Sequence, residues 1–179
     1  GQDRGRAPPD HQPGFLSVGT GENLLERVQA SLGAQAMETG MAHGILVLQV
    51  AAESLVPVAG RLKQEFGFDL FLDVTATDWP QRQPRFDVVY HFYSTRDFVR
   101  VRLKTRVEEA DPTVDTLVPL YGSARYMERE CHEMYGIRFR GNDDLRPLLL
   151  YEGFVGHPLR KDYPKQREQP LVPYRDVKP

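Results

Sequence analysis

The spacing of hydrophobic residues in the first part of the chain predicts two amphipathic helices with a buried strand between them. The first helix is predicted by apolar positions at helical spacing that end at a glycine: Leu24, Leu25, Val28, Leu32 and Gly33. Residues 43–51 are almost continuously apolar and predict the strand. The second helix is predicted by another apolar stripe that a glycine follows: Leu55, Val56, Ala59, Leu62, Phe66 and Gly67.

Three strands are predicted next, over residues 69–77, 86–93 and 98–107. In the first of them, one face is expected to hold Leu70, Leu72, Val74 and Ala76. The third alternates most regularly, and its predicted outer face is basic: Arg100, Arg102, Lys104 and Arg106. A strand with one charged, solvated face belongs to an antiparallel sheet that helices cover on one side only. We therefore predict an α+β fold, with a small, mostly antiparallel sheet that carries its helices on one face.

Two further helices are predicted between residues 111 and 136. Asp111 and Pro112 are typical of a helix start, because aspartate caps a helix and proline is tolerated in its first turn. Ser123 is the expected cap of the second helix, which runs to Tyr135 and ends at Gly136.

The pattern changes after residue 136. The C-terminal segment (residues 137–179) shows little periodicity and carries six prolines, at positions 147, 158, 164, 170, 173 and 179. A compact domain rarely contains so long a stretch without secondary structure, yet its apolar content is too high for ordinary disorder. The segment is therefore expected to be extended and to wrap over a partner protein. Residues 1–20 are rich in glycine and proline and are expected to form a flexible arm, which leaves residues 21–136 as the α+β domain.

Composition excludes several classes of function. A formal net charge of −2 gives no global basic field for nucleic acid. The one cysteine, Cys131, cannot form an intrachain disulfide, and it cannot alone bind an iron–sulfur cluster, which needs about four thiolates. No apolar stretch approaches the roughly 20 residues that span a bilayer, so any membrane association is expected to come through other subunits.

Residues 123–164 carry the candidate chemistry, and most of it fails on spacing. Glu128 and Glu130 lie two apart on a helix and would not converge on one substrate atom, so ion pairing with a neighbouring subunit or a solvated face is favoured over catalysis. His132 and Glu133 begin a zinc-protease motif, but Gly136 stands where its second histidine belongs. No catalytic, cofactor-binding or metal-binding residue is therefore predicted.

The same block resembles the C-subunit (30 kDa) family of respiratory complex I, the NADH:quinone oxidoreductase. The resemblance is carried by Glu128-Arg129-Glu130, by residues 133–137 (EMYGI), by Asp144-Leu145-Arg146 and above all by residues 153–164 (GFVGHPLRKDYP). Residues 73–80 and 85–91 are similar to the family's first hairpin, and the resemblance covers about residues 65–165. The sequence departs from the family pattern at Tyr126, at Glu133 and at positions 142–143.

Membership in this family implies a peripheral-arm subunit without a cofactor of its own, which supports a quinone-reducing, proton-translocating assembly. NADH, FMN, iron–sulfur clusters and quinone then belong to the assembly, and the expected partners are its hydrogenase-like D subunit and its B subunit on the cytoplasmic side of the inner membrane. The alternatives are the equivalent subunit of a membrane-bound hydrogenase or of a ferredoxin- or F420-linked complex, and an independent small enzyme. The expected partner interface comprises Glu128, Arg129, Glu130, Leu145, Arg146, Leu148, Leu150, Phe154, Gly156, His157, Pro158, Leu159, Arg160, Lys161 and Asp162.

Overall fold

Three α-helices, two short 3-10 helices (Gly33–Gln35 and Ala52–Ser54) and seven strands lie between residues 19 and 166, which are the residues that the computed structural model describes. Side chains are described from residue 23 onward. The elements in chain order are α1 (Gly19–Leu32), β1 (Ala36–Ala42), β2 (Ile45–Val50), α2 (Leu55–Gln64), β3 (Leu70–Asp78), β4 (Phe86–Ser94), β5 (Val99–Val107), β6 (Thr113–Asp115), α3 (Ala124–Tyr135) and β7 (Arg138–Arg140). The arm predicted for residues 1–20 lies outside the described residues except for its last two, which begin α1.

Five strands form one sheet in the order β1-β2-β5-β4-β3. Three of the four strand pairs are antiparallel, and only β2 and β5 run parallel. A separate small sheet joins β6 to β7. The predicted α+β fold with a mostly antiparallel sheet is confirmed.

The hydrophobic core lies between one face of the large sheet and the three helices. Leu46, Tyr90 and Leu103 from the central strands are fully buried there. Val28 of α1 and Leu62 of α2 belong to the same core, so the helices lie on one face of the sheet as predicted. The opposite face keeps the basic row of β5, because successive side chains of a strand point to opposite sides.

The predicted face of β3 was wrong at its start. A bulge between Phe71 and Asp73 shifts the register by one residue, so Phe71 turns into the core beside Val74 while Leu70 is 41% exposed. A one-residue shift moves every earlier side chain to the other face, and apolar alternation alone does not reveal it.

Two strands and one boundary also differ from the prediction. The helix expected after Asp111 is the strand β6, because Thr113, Val114 and Asp115 pair with β7 instead of forming local bonds. β1 was missed because its residues are mostly polar and exposed, as befits an edge strand. Ser123 does precede α3, but its hydroxyl donates to the backbone oxygen of Phe71 at 3.5 Å and does not cap the helix.

Candidate docking surface

Helix α3 is the element on which the following stretch of chain is built. Ala124 and Cys131 on its inner side are buried in the core. Gly136 ends the helix in the left-handed conformation (φ 79°), which glycine adopts without steric cost. The chain then forms β7, and residues 144–162 return across α3; we call these the α3-bound stretch.

The last turn of α3 is capped by the α3-bound stretch. The final carbonyls of a helix have no partner within the helix and need donors from elsewhere. Here all four have one, and three donors come from residues 157–160. The pairs are Gly136 N–H to the oxygen of His132 (2.7 Å), His157 Nδ1 to that of Glu133 (2.9 Å), Leu159 N–H to that of Met134 (3.1 Å) and Arg160 Nε to that of Tyr135 (2.6 Å).

The geometry at Gly136 leaves no room for a side chain. A Cβ atom placed there would lie 2.7 Å from Arg160 Nη2 and 2.7 Å from His157 Nε2. Because a carbonyl only accepts hydrogen bonds, the Nδ1 atom of His157 carries a proton. Burial lowers the pKa of His157, which favours the neutral ring in this position.

The carboxylate of Glu133 holds the middle of the α3-bound stretch. It accepts the backbone N–H groups of Leu148, Leu149 and Leu150 at 3.2, 2.9 and 2.9 Å. Glu133 itself is only 7% exposed. Three successive N–H groups on one carboxylate fix the backbone of a segment that has no helix or strand of its own.

The beginning of the α3-bound stretch is held by Arg129. Its guanidinium donates to the backbone oxygens of Arg146 and Pro147, at 2.9 Å each, and lies 3.6 Å from a carboxylate oxygen of Asp144. The hydrogen bond from Arg146 lowers the pKa of Asp144 to about 2. Arg129 and Glu133 lie one helical turn apart, but each binds this stretch.

Arg85 fastens the end of the α3-bound stretch to the sheet. Its guanidinium binds both carboxylate oxygens of Asp78, at 2.7 and 2.8 Å, and also contacts Glu109 (2.6 Å) and Asp162 (2.9 Å). The backbone N–H of Lys161 donates to Asp78 at 2.7 Å. Hydrogen bonding by Arg85 lowers the pKa of both Asp78 and Asp162, so both carboxylates are charged at neutral pH.

Several apolar side chains of the α3-bound stretch point away from the domain. We call them the exposed apolar set, with their exposed fractions: Leu148 (39%), Leu149 (61%), Tyr151 (37%), Val155 (58%) and Leu159 (48%). Beside them lies a pocket of about 200 Å³ whose lining includes His132, Leu145, Leu150, Phe154 and His157. The backbone is thus fixed by polar contacts, while these five apolar side chains stay at least 37% exposed.

The predicted interface residues other than Glu128 fall into three groups: those that bind this chain itself, those that are exposed and those that are half-buried. Arg129, His157, Arg160 and Asp162 bind this chain's own α3 and sheet, and Leu145 packs against the core. The exposed members are Glu130, Arg146, Leu148, Gly156, Leu159 and Lys161, and the half-buried ones are Leu150, Phe154 and Pro158. Sequence reasoning omitted Leu149, Tyr151 and Val155, although their apolar character in a proline-punctuated segment could have identified them.

Glu128 is not on the surface. It is fully buried and accepts hydrogen bonds from Thr116 Oγ1 (2.6 Å), the N–H of Leu117 (2.8 Å) and Asn142 Nδ2 (2.9 Å). Burial raises the pKa of Glu128, and the three donors partly oppose that shift. Glu128 joins α3 to the loop after β6 and to the start of the C-terminal segment, so it is not part of the candidate docking surface.

No group of three or more histidine, cysteine or acidic side chains is arranged to hold a metal ion within the described part of the chain. Cys131 is buried, and burial raises the pKa of its thiol, which makes it a poor ligand or nucleophile. None of the described helices is both long and apolar enough to cross a membrane.

Comparisons with known proteins agree with the resemblance seen in the motifs. The family model described as respiratory-chain NADH dehydrogenase, 30 kDa subunit, matches residues 48–169. The C subunit of the NADH-quinone oxidoreductase of Methylorubrum populi is 43% identical over 141 residues, which are 78% of this chain and 64% of that protein. The C subunit of the same enzyme from Agrobacterium fabrum is 42% identical over 144 residues, covering 79% of this chain and 72% of that protein. The chain thus spans about two thirds of the length of these relatives.

Two solved structures share the fold. A trypsin-resistant fragment of Nqo5 is 30% identical with a TM-score of 0.63, over 68% of this chain and 99% of that fragment. A chain of a membrane-bound sulfane sulfur reductase, an archaeal respiratory membrane complex, is 25% identical with a TM-score of 0.70, over 82% of this chain and 86% of its own. The family model and the sequence relatives together show that this chain belongs to the 30 kDa subunit family of the respiratory-chain NADH dehydrogenase.

Proposed function

We propose that this chain is a docking subunit of a proton-translocating NADH:quinone oxidoreductase and takes no part in electron transfer itself. It lies in the peripheral arm, on the cytoplasmic side of the membrane, beside the hydrogenase-like D subunit and the B subunit. NADH, FMN, iron–sulfur clusters and quinone are bound by other subunits. The names of the sequence relatives support the kind of complex, and the geometry of the α3-bound stretch supports the docking role.

The observation that carries the proposal is the rigid display of the exposed apolar set. Fixing a residue's backbone costs about 1–2 kcal/mol of conformational entropy, and apolar side chains that stay 37–61% exposed return only part of it through burial. The bonds to Glu133, to Arg129 and to the end of α3 nevertheless hold this stretch in one conformation. Apolar side chains grouped on a rigid backbone are typical of a protein–protein interface. The neighbouring pocket fits an apolar side chain of the partner.

One alternative function is favoured by a specific observation. A chain of the archaeal respiratory complex shares the fold over 82% of this chain with a TM-score of 0.70. The same docking role would then serve a membrane-bound complex with another electron donor or acceptor, such as a hydrogenase or a ferredoxin- or F420-linked complex. The identity of the co-purifying subunits distinguishes these cases, because the chemistry resides in them.

The experiment tests assembly and folding separately. Leu149→Ser combined with Val155→Ser removes two exposed apolar side chains without touching the bonds that hold the backbone. We expect the free energy of unfolding to change by less than about 0.5 kcal/mol, while the tagged variant no longer co-purifies with the large subunit from solubilised membranes. A matched control combines Phe98→Ser with Met37→Ser, which remove side chains that are 61% and 67% exposed elsewhere on the surface. Co-purification of the first variant at the wild-type level would contradict the docking surface.

A further inference from the structure

The outer face of the large sheet, away from the helices and from the α3-bound stretch, carries a row of uncompensated positive charges. Arg100, Arg102 and Lys104 occupy alternate positions of β5 and therefore share that face. Within residues 23–166 no carboxylate lies within ion-pair distance of these three side chains. The next residue of the row, Arg106, is compensated at 3.5 Å by Glu38.

A shallow depression of about 280 Å³ lies beside this row. Its lining includes two cations, Arg102 and Lys104, one carboxylate, Glu38, and the side chains of Val47 and Gln49. The strand register explains the grouping, because Val47 pairs with Arg102 and Gln49 pairs with Lys104. Gly40 forms part of the wall, and nothing lies within 4 Å of the position its Cβ would take. The absence of that side chain keeps the depression open.

Unused hydrogen-bond donors gather at the depression. Gln49 is only 5% exposed, yet its amide nitrogen has no hydrogen-bond partner among the described residues. The Nε atom of Arg102 is likewise buried and has no partner in that part of the chain. An unmatched buried donor is unfavourable, and an acceptor that a bound partner supplies would remove that cost. An amide, a guanidinium and an ammonium group together call for an anionic acceptor.

The surroundings discriminate between kinds of anion. In the strand register, Asp73 of β3 lies opposite His91, and Asp87 of β4 lies opposite Arg106. Acidic residues therefore lie on the same face, one or two strands away from the basic row. Glu38 lies opposite Gln49 at the edge of the depression, and its carboxylate is 3.5 Å from the guanidinium of Arg106, which partly neutralises it. These carboxylates would repel a broad polyanion such as a nucleic acid or an anionic lipid surface, whereas a single extended chain fits between them.

We propose that this face is a second docking surface, which receives an extended acidic segment of a partner protein. Carboxylates at alternate positions of such a segment repeat every 6.6–6.8 Å or so, which matches the spacing of cations at alternate positions of β5. One carboxylate enters the depression and accepts from Gln49, Arg102 and Lys104. This surface is separate from the exposed apolar set and does not depend on the docking role proposed for it.

The test uses the whole chain and a labelled synthetic peptide with glutamate at every second position and threonine between. Fluorescence anisotropy is expected to show binding at about 50 mM NaCl that weakens as the salt rises to about 300 mM. Arg102→Gln combined with Lys104→Gln should weaken it by roughly fivefold or more. The control variant, Lys161→Gln with Lys165→Gln, removes two exposed charges from the other side and should bind like the wild type.

Each remaining outcome overturns the proposal. No binding of the peptide, or equal losses in both double variants, would mean that the row is an ordinary solvated face. Tighter binding of a single-stranded oligonucleotide or of anionic vesicles, abolished by the same Arg102 and Lys104 changes, would assign the face to a phosphate-bearing partner. A dimer in analytical ultracentrifugation that the changes dissociate would make a second copy of this chain the occupant. Thermal unfolding of every variant confirms that the sheet is intact.

Discussion

Glu133 offers the most direct test of how the docking surface is held. In a Glu133→Gln variant the side chain keeps its size, but one carboxylate oxygen becomes an NH2 group that cannot accept a hydrogen bond. Depending on how the amide turns, either the N–H groups of Leu148 and Leu150 or the N–H group of Leu149 loses its acceptor. Hydrogen bonds to a charged group contribute about 1.5–3 kcal/mol each. Water replaces part of this loss because Leu148 is exposed. We therefore expect the α3-bound stretch to lose about 1.5–3 kcal/mol of local stability.

Amide hydrogen exchange measures this loss where it occurs. A local loss of about 1.5–3 kcal/mol corresponds to exchange roughly 10- to 150-fold faster at residues 148–150, since each 1.4 kcal/mol or so is a factor of ten. The amides of β4 and β5 should not change, because the carboxylate of Glu133 bonds to residues 148–150. Glu130→Gln is the matched control: it removes the same charge from the same helix at an exposed position. It should leave exchange at residues 148–150 at the wild-type rate.

Two results would refute this reasoning. Unchanged exchange at residues 148–150 in Glu133→Gln would show that the carboxylate does not hold the stretch. Equal acceleration in Glu130→Gln would show that any loss of negative charge on α3 has the same effect. Faster exchange throughout the sheet would instead place Glu133 in the core of the fold, and the docking surface would then not be a separately held unit.

Three further predictions concern the same scaffold. Gly136→Ala should lower the free energy of unfolding in urea by at least about 1–2 kcal/mol from the left-handed backbone alone, and a smaller effect would contradict the crowding by His157. Asp78→Asn should lower the free energy of unfolding by about 3–5 kcal/mol, because it leaves the buried Arg85 without its main partner. Asp162→Asn should lower it by about 1 kcal/mol or less, because that ion pair is screened by solvent. Equal losses in the two variants would disprove this ranking. The raised pKa of Glu128 means that the folded state binds the proton more tightly than the unfolded chain, so wild-type stability relative to Glu128→Gln should rise as the pH falls from 7 toward the unfolded value of about 4.3. A difference that is independent of pH in urea titrations would contradict that assignment.

The parts of the fold that could be predicted from sequence are those fixed by local periodicity. The alternation of β5, in which Val101 and Leu103 face in and Arg102 faces out, gave the correct strand and the correct faces. The helical stripe and the terminal glycine gave the end of α3 at Tyr135. β1 escaped because an edge strand needs no apolar face. The bulge at Phe71 escaped because it depends on pairing with β4, which the sequence of β3 alone does not encode.

The site was harder to predict because its bonds join distant parts of the chain. Asp162 and Arg85 are 77 positions apart, and the Lys161 N–H reaches Asp78 across 83 positions. The local sequence pattern does not predict contacts between residues so far apart in the chain. The inference that the C-terminal segment has no secondary structure holds for its residues 141–166, but its charges lie on this chain's own helix and sheet. Glu128 shows the same limit, because spacing excluded joint catalysis with Glu130 but could not show that only one of the two is buried.

Some residues of the α3-bound stretch hold its backbone in place, and others are exposed to a partner. Residues of the family motif, such as His157 and Arg160, donate hydrogen bonds to the carbonyls at the end of α3, so these donors are not available to a partner. Their substitution would disturb the docking surface indirectly, by releasing the backbone that carries Leu149 and Val155. In the docking role that we propose, those apolar side chains make the direct contact with the partner. An alanine at Arg160 should therefore lower both stability and assembly, whereas a serine at Leu149 should lower assembly alone.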